Sequence, residues 1–334
     1  MDFLLGIPAA GYNMEFIAPA DSHLTHLVRT KRFVASQSLV EQGRLSALYI
    51  IFIIAILVIN TFVVAVIIAS KAMRASSRHV LIISVCVGDL LMGVFVLPVL
   101  LNLQMRHGDE IKDCPTFFAM RLFADFLIPS VTTLAMLALN VDYLLRLCCS
   151  AYSEGSSRST LIVVLFLLPW MISGAVLIPL YVDGMYRVSD SWLDKCDIEM
   201  GGLLTRTLLA VSFFPQACLL LILTLAVSCM YLLRRETYSL DVCGERIRAP
   251  VDVCLASFGT LLLYAPAFLA MLLTTEGYSG CEVGDVERCA IADGLYTVAL
   301  WCMFTKSWLL PFCWAACADT RVCVRQLFVE GCST

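Results

Sequence analysis

Charge is what this sequence has least of. Only 15% of its 334 residues are Asp, Glu, Lys or Arg, against 60% hydrophobic residues, and the mean hydropathy is +0.86. A water-soluble domain of this length has no way to hide so much apolar surface. That class is excluded, and an all-α, polytopic membrane protein is expected. The short motifs of catalysis and cofactor binding are missing too. There is no CxxC or Cys/His cluster for a metal, no HExxH, no GxSxG and no phosphate loop. We expect no enzyme, no cofactor and no nucleic-acid partner. No Asn-x-Ser/Thr sequon occurs, which excludes N-glycosylation, and no internal repeat is visible. The N-terminal MDFLLGIPAAGYN has no basic stretch ahead of its apolar residues and does not read as a cleaved signal peptide. Cysteine, by contrast, is plentiful, with 16 residues. Many sit inside apolar runs (Cys86, Cys218, Cys229, Cys302, Cys313), where cysteine acts as a small hydrophobe.

Seven segments reach the roughly 20 apolar residues that a spanning helix needs: 45–70, 78–103, 116–148, 159–182, 203–233, 250–274 and 292–316. They define a tail (1–44), a seven-transmembrane bundle (45–316) and a C-terminal segment (317–334). With the N-terminus outside, the inner segments hold eleven basic residues, from Lys71 to Arg325, and the three outer loops hold five. The excess of inner positive charge predicts N-out and C-in. Twelve acids in the same outer loops make either a negative vestibule for cations or a merely solvated surface. Four outer cysteines, Cys114, Cys196, Cys281 and Cys289, are candidates for disulfides on the oxidising side, with connectivity open. Thr320–Phe328 (TRVCVRQLF) reads as a short amphipathic helix on the inner leaflet, and Cys317, Cys323 and Cys332 are lipidation candidates beside it.

Four charged residues lie clearly within the spans rather than at their starts: Asp89, Asp125, Asp142 and Lys306. An acid in the bilayer core costs roughly 2.5–3.5 kcal/mol on insertion scales, so each needs a partner or a task. Asp125 and Asp142 are 17 residues apart, about 26 Å along one helix. They therefore belong to opposite halves of the bilayer. Asp125, set among Phe123, Phe126 and Leu127, has two readings. It pairs with a small cation that brings its own apolar body, or it pairs with a neighbouring Arg or Tyr such as Arg121, one turn earlier.

Landmarks along the spans resemble the rhodopsin-like G-protein-coupled receptors. Asn60 matches the first-helix asparagine. SVCVGDLLMG (84–93) is similar to the second-helix LAxxDLLxG, with Asp89 as its aspartate. ALNVDYLLRLCC (138–149) resembles the end of the third helix, with Asp142 as the acid of DRY. Trp170 and Pro179 match the fourth helix, and Pro215, Pro266 and Pro311 match helices five to seven. The resemblance covers about residues 45–330. It implies a cell-surface receptor whose partners are the bilayer and a heterotrimeric G protein. Asp125 falls where biogenic-amine receptors place the aspartate that takes the ligand ammonium, so a small cationic ligand is expected. Phe268, Trp301 and Phe304 stand where those receptors keep aromatics, which would favour a cation, or they are ordinary packing. Thr207 stands where they direct a hydroxyl at the ligand.

Departures from the pattern are specific. The DRY arginine is absent from Asp142-Tyr143-Leu144, and Arg146, one turn on, does not replace it in direction. Tyr264 occupies the CWxP tryptophan position. NPxxY becomes Leu310-Pro311-Phe312-Cys313-Trp314. Near Asp89 the family holds a sodium ion. Thr132 and Ser307 keep hydroxyls there, but Lys306 replaces an asparagine, and its ammonium is expected to pair with Asp89 in place of sodium. Two alternatives follow: a receptor-like decoy that does not signal, and a small transporter.

Overall fold

In the computed structural model, residues 39–74, 76–105, 114–148, 158–188, 202–234, 250–277, 286–315, 321, 324 and 325 are described. Among them there are helices and no strands. Seven helices are long and apolar enough to cross a membrane: Leu45–Ala69, Arg78–Asn102, Ala119–Leu145, Val163–Asp183, Arg206–Leu233, Val251–Leu272 and Thr297–Ala315. The chain has the makings of a multi-pass membrane protein. Away from water every backbone N–H and C=O must be paired within its own segment, which leaves the helix as the available form for these runs. The first helix begins at Leu39, six residues before the expected boundary. The four outer cysteines, the three lipidation candidates and most of Thr320–Phe328 lie outside the described residues or have undescribed side chains.

The spans pack in chain order, and the seventh closes back on the first. The third span is the axis. Of its apolar window 83% is buried, against 17% for the fourth span. Outward faces are apolar, with Val58, Met171, Ile222 and Leu262 all exposed, as lipid contact requires and water would penalise.

Two spans are wound unevenly. Met92–Val96 in the second and Phe123–Leu127 in the third are π-turns. The N–H of Leu97 donates to the Met92 carbonyl and that of Ile128 to the Phe123 carbonyl, five residues back in both. In each case a proline follows at once, Pro98 and Pro129. A proline ring clashes with the carbonyl four residues earlier, here that of Val94 or Asp125, and the widened turn moves that carbonyl aside. The two π-turns pack on each other, and Phe95 meets Phe123 edge-on at 5.8 Å. Gly93 admits the first span closely, since a Cβ there would stand 2.9 Å from Ile56 Cγ2.

Later prolines free carbonyls that side chains then take up. Pro215 has no N–H for the Val211 carbonyl, and Gln216 Nε2 donates to it at 3.3 Å. Pro311 likewise leaves the Ser307 carbonyl, which accepts from Asn60 Nδ2 at 2.9 Å. A proline in the seventh span thus creates the acceptor that ties it to the first. Trp170 Nε1 donates to Ser84 Oγ at 3.0 Å, linking the fourth span to the second. Ser173 Oγ and Gln216 Nε2 both donate to Ser130 Oγ, at 3.0 and 3.1 Å, joining spans three, four and five. Each bond removes a polar group that lipid would leave unpaired.

Candidate functional site

Three of the charged residues at depth, Asp89, Lys306 and Asp125, take part in two ion pairs of different build. In the first, Lys306 Nζ of the seventh span lies 2.8 Å from Asp89 Oδ1 of the second, and both side chains are 0% exposed. The ammonium also donates to Thr132 Oγ1 of the third span at 3.3 Å and stands 5.3 Å from the centroid of the Tyr264 ring in the sixth. The Tyr264 hydroxyl donates to the same Thr132 oxygen at 3.4 Å. One lysine therefore binds a carboxylate, a hydroxyl and a π-face, drawn from three further spans. Asn60 anchors the neighbouring backbone through the Ser307 carbonyl and also donates to Ile56 O at 2.9 Å. Asn60 Oδ1 is buried without a hydrogen-bond partner. The whole assembly is electrically neutral, with the cation supplied by the chain itself.

In the second pair, Arg121 Nε lies 2.8 Å from Asp125 Oδ2, one turn away on the same helix. Asp125 sits in the π-turn between buried Ala124, Phe126 and Leu127. Its side chain is 2% exposed, while that of Arg121 is 25% exposed. The contact is close but not aligned as a hydrogen bond, and Oδ2 has no hydrogen-bond partner. Tyr181 of the fourth span is buried within electrostatic reach of both charges, and its ring lies 6.3 Å from that of Phe126. Of the two readings of Asp125, the internal guanidinium is the partner present here, because the helix itself brings it within reach.

The other expected ligand residues do not converge. Phe268 is fully buried, stacked on Phe213 at 4.0 Å and edge-on to Tyr264 at 6.3 Å, in a cluster built from spans three to seven. Trp301 and Phe304 belong to a different cluster, against Tyr49, Phe52 and the second span. Trp301 lies 5.1 Å from Tyr49 and 5.7 Å from Phe304. Thr207 is exposed, because Leu208 and Leu209 take the inward positions of its helix. Among the described residues, the partly buried Phe123 and Leu300 pack against both clusters.

At the opposite end of the third span, Asp142 is buried and Tyr143 half-buried. The side chain of Arg146 lies outside the described residues. Asn140 Nδ2 donates to Ser257 Oγ of the sixth span at 2.9 Å. At this same end Arg78 of the second span pairs with Asp252 of the sixth. Sequence reasoning missed this pair, having read Arg78 only as a loop charge. The available signal was a basic residue in the first turn of one span, against its helix dipole, and an acid in the first turn of another. Among the described residues no group of His, Cys, Asp and Glu could hold a metal ion.

No protein-family model matches this chain, and no curated protein matches it significantly.

Proposed function

We propose that the chain is a cell-surface receptor of the rhodopsin-like type, N-terminus outside. Its small cationic ligand is held in the outer half of the bundle by Asp125, and a heterotrimeric G protein is its partner inside. The carrying observation is Asp125 itself: a buried carboxylate in a widened turn, whose ion-pair partner is a partly exposed guanidinium of its own helix. Such a counter-ion can be exchanged without moving any helix against another. Phe123 and Phe126, neighbours of Asp125 in the same turn, pack on Phe95 and Tyr181 and would suit the apolar body of a guest. A panel of primary amines, titrated onto the native chain and onto Asp125→Asn, tests the assignment. Binding is expected to be lost in the variant, and amine affinity unchanged by the substitution would defeat it.

A second reading is favoured by Asp142-Tyr143-Leu144, where the arginine that meets the G protein is absent. In it, the chain takes up ligand without signalling. Basal and ligand-driven nucleotide exchange on reconstituted G protein separates the two readings.

A further inference from the structure

We infer that the end of the bundle at which the first and seventh spans finish binds a phosphorylated lipid headgroup carrying more than one phosphate, through Lys71, Arg74, Arg321 and Arg325. Neither Asp125 nor the identity of its ligand enters into it. The first span ends at Ala69 and the seventh at Ala315, and the two pack on each other. As odd-numbered spans of one bundle they finish on the same side, the inner leaflet in the orientation proposed above. Lys71 and Arg74 belong to a short helix directly after the first span, Lys71–Arg74, and Met73 within it is buried in the core cluster that holds Val66, Ile67 and Trp314. In the tail, Arg321, Val324 and Arg325 are helical, and Val324 packs on that same cluster. Had the seventh helix simply continued, Val324 would stand roughly 13 Å past Ala315 and clear of the bundle. The tail therefore turns and lies across the bundle's end, where apolar spans give way to headgroups.

The apolar contacts of both segments fix where their charges go. Met73 and Val324 take the inward positions, and Lys71, Arg74, Arg321 and Arg325 are all exposed. Lys71 and Arg74 are three residues apart, Arg321 and Arg325 four, and these spacings place each pair on one helix face. Among the described residues no carboxylate pairs with any of the four, whereas Arg78 is engaged by Asp252. Residues 70–78 (SKAMRASSR) contain no acid. Orienting a span needs basic residues near its end but no fixed place for them. Here apolar anchors hold two pairs of cations at one interface. A headgroup of single charge neutralises one of the four. A headgroup with several phosphates answers both pairs at once, and the arginine forks match phosphate oxygens two at a time. The acyl chains of the same lipid continue along the exposed apolar faces of the first and seventh spans, past Phe62, Ile68 and Phe312. A cluster of about four or more basic residues directly beside a span is the pattern that attracts such lipids.

The test titrates the full chain, in an uncharged detergent, with dioctanoyl phosphatidylinositol bisphosphate and follows binding by microscale thermophoresis. Dioctanoyl phosphatidylserine is the comparison of lower charge, and inositol trisphosphate is a headgroup without acyl chains. The bisphosphate is expected to bind saturably, at least about tenfold more tightly than phosphatidylserine and more tightly than inositol trisphosphate. Arg74→Gln with Arg325→Gln removes one charge from each segment and is expected to weaken binding about tenfold or more. Arg74→Lys with Arg325→Lys should retain most of the affinity. Thermal unfolding of each variant confirms that it is folded, and the single glutamine variants carry the test if the double one is not. Phosphatidylserine that binds as tightly as the bisphosphate overturns the inference and leaves a general basic surface. Inositol trisphosphate that binds as tightly as the lipid also overturns it, since the site would then serve a soluble anion. Affinity unchanged by the two glutamines, or no saturable binding of any probe, does the same.

Discussion

The two ion pairs at membrane depth have the same contact distance, 2.8 Å, and opposite designs. Asp89–Lys306 joins residues 217 apart in the chain, sits wholly out of solvent and draws in two further spans. It cannot open unless helices separate or a bare charge is stranded. Arg121–Asp125 lies within one helix, with one partner partly exposed and no other span needed to form it. The lesson is that charge at depth does not identify a binding site. What distinguishes a pin from an exchangeable contact is whether the counter-ion belongs to the same element and has a route to solvent.

The largest effect should come from breaking the pin. Lys306→Met is expected to lower stability by about 3–5 kcal/mol, since a buried carboxylate is left alone. Thermal unfolding in lipid or detergent reads it out. Replacing both partners, as in Asp89→Leu with Lys306→Met, should recover much of that loss, because the desolvation penalty disappears with the charges. A double variant no more stable than Lys306→Met would contradict the neutral-pin picture. The same pair makes a sharper prediction about ions. Exchange of sodium for N-methylglucamine should leave ligand affinity of the native chain unchanged, whereas Lys306→Asn should make affinity depend on sodium. A sodium response already present in the native chain, and unaltered in Lys306→Asn, would remove the lysine from that role.

Breaking the exchangeable pair should cost less. Arg121→Gln is expected to lose about 1–2 kcal/mol, because Arg121 itself is partly exposed and its contact is screened by solvent; a loss equal to that of Lys306→Met would erase the contrast. Thr132→Val removes the oxygen that accepts from both Lys306 and Tyr264, and about 1 kcal/mol is expected by the same measurement. The smallest effect is expected for Arg78→Gln, about 0.5 kcal/mol, because both Arg78 and Asp252 reach solvent.

The spans were legible in the sequence because an apolar run of 20 residues in lipid has one backbone solution, and length alone finds it. Asp89 with Lys306 was legible because the receptor resemblance put both at one ion site, and opposite charges at membrane depth need a partner. The pocket was not. The resemblance to amine receptors put Asp125, Phe268, Trp301 and Phe304 around one pocket, but it says nothing of helix rotation in this chain. Rotation is set by packing and, in the second and third spans, by π-turns that insert an extra residue. Phe268 consequently turns toward Phe213, and Trp301 toward Tyr49. Thr207 faces outward because its two leucine neighbours bury more apolar surface than a hydroxyl-bearing side chain would. Arg121 was visible as one alternative partner of Asp125, and only coordinates could choose it.

The distance in sequence between Asp89 and Lys306 also sets a clock on biogenesis. At roughly 5–20 residues per second of synthesis, a separation of 217 residues means a wait of roughly 10–40 s between the two. Throughout that interval the second helix holds a lone carboxylate that no earlier part of the protein neutralises with lysine. A chain truncated before its seventh helix never closes this account, so a late segment completes the electrostatics of an early one.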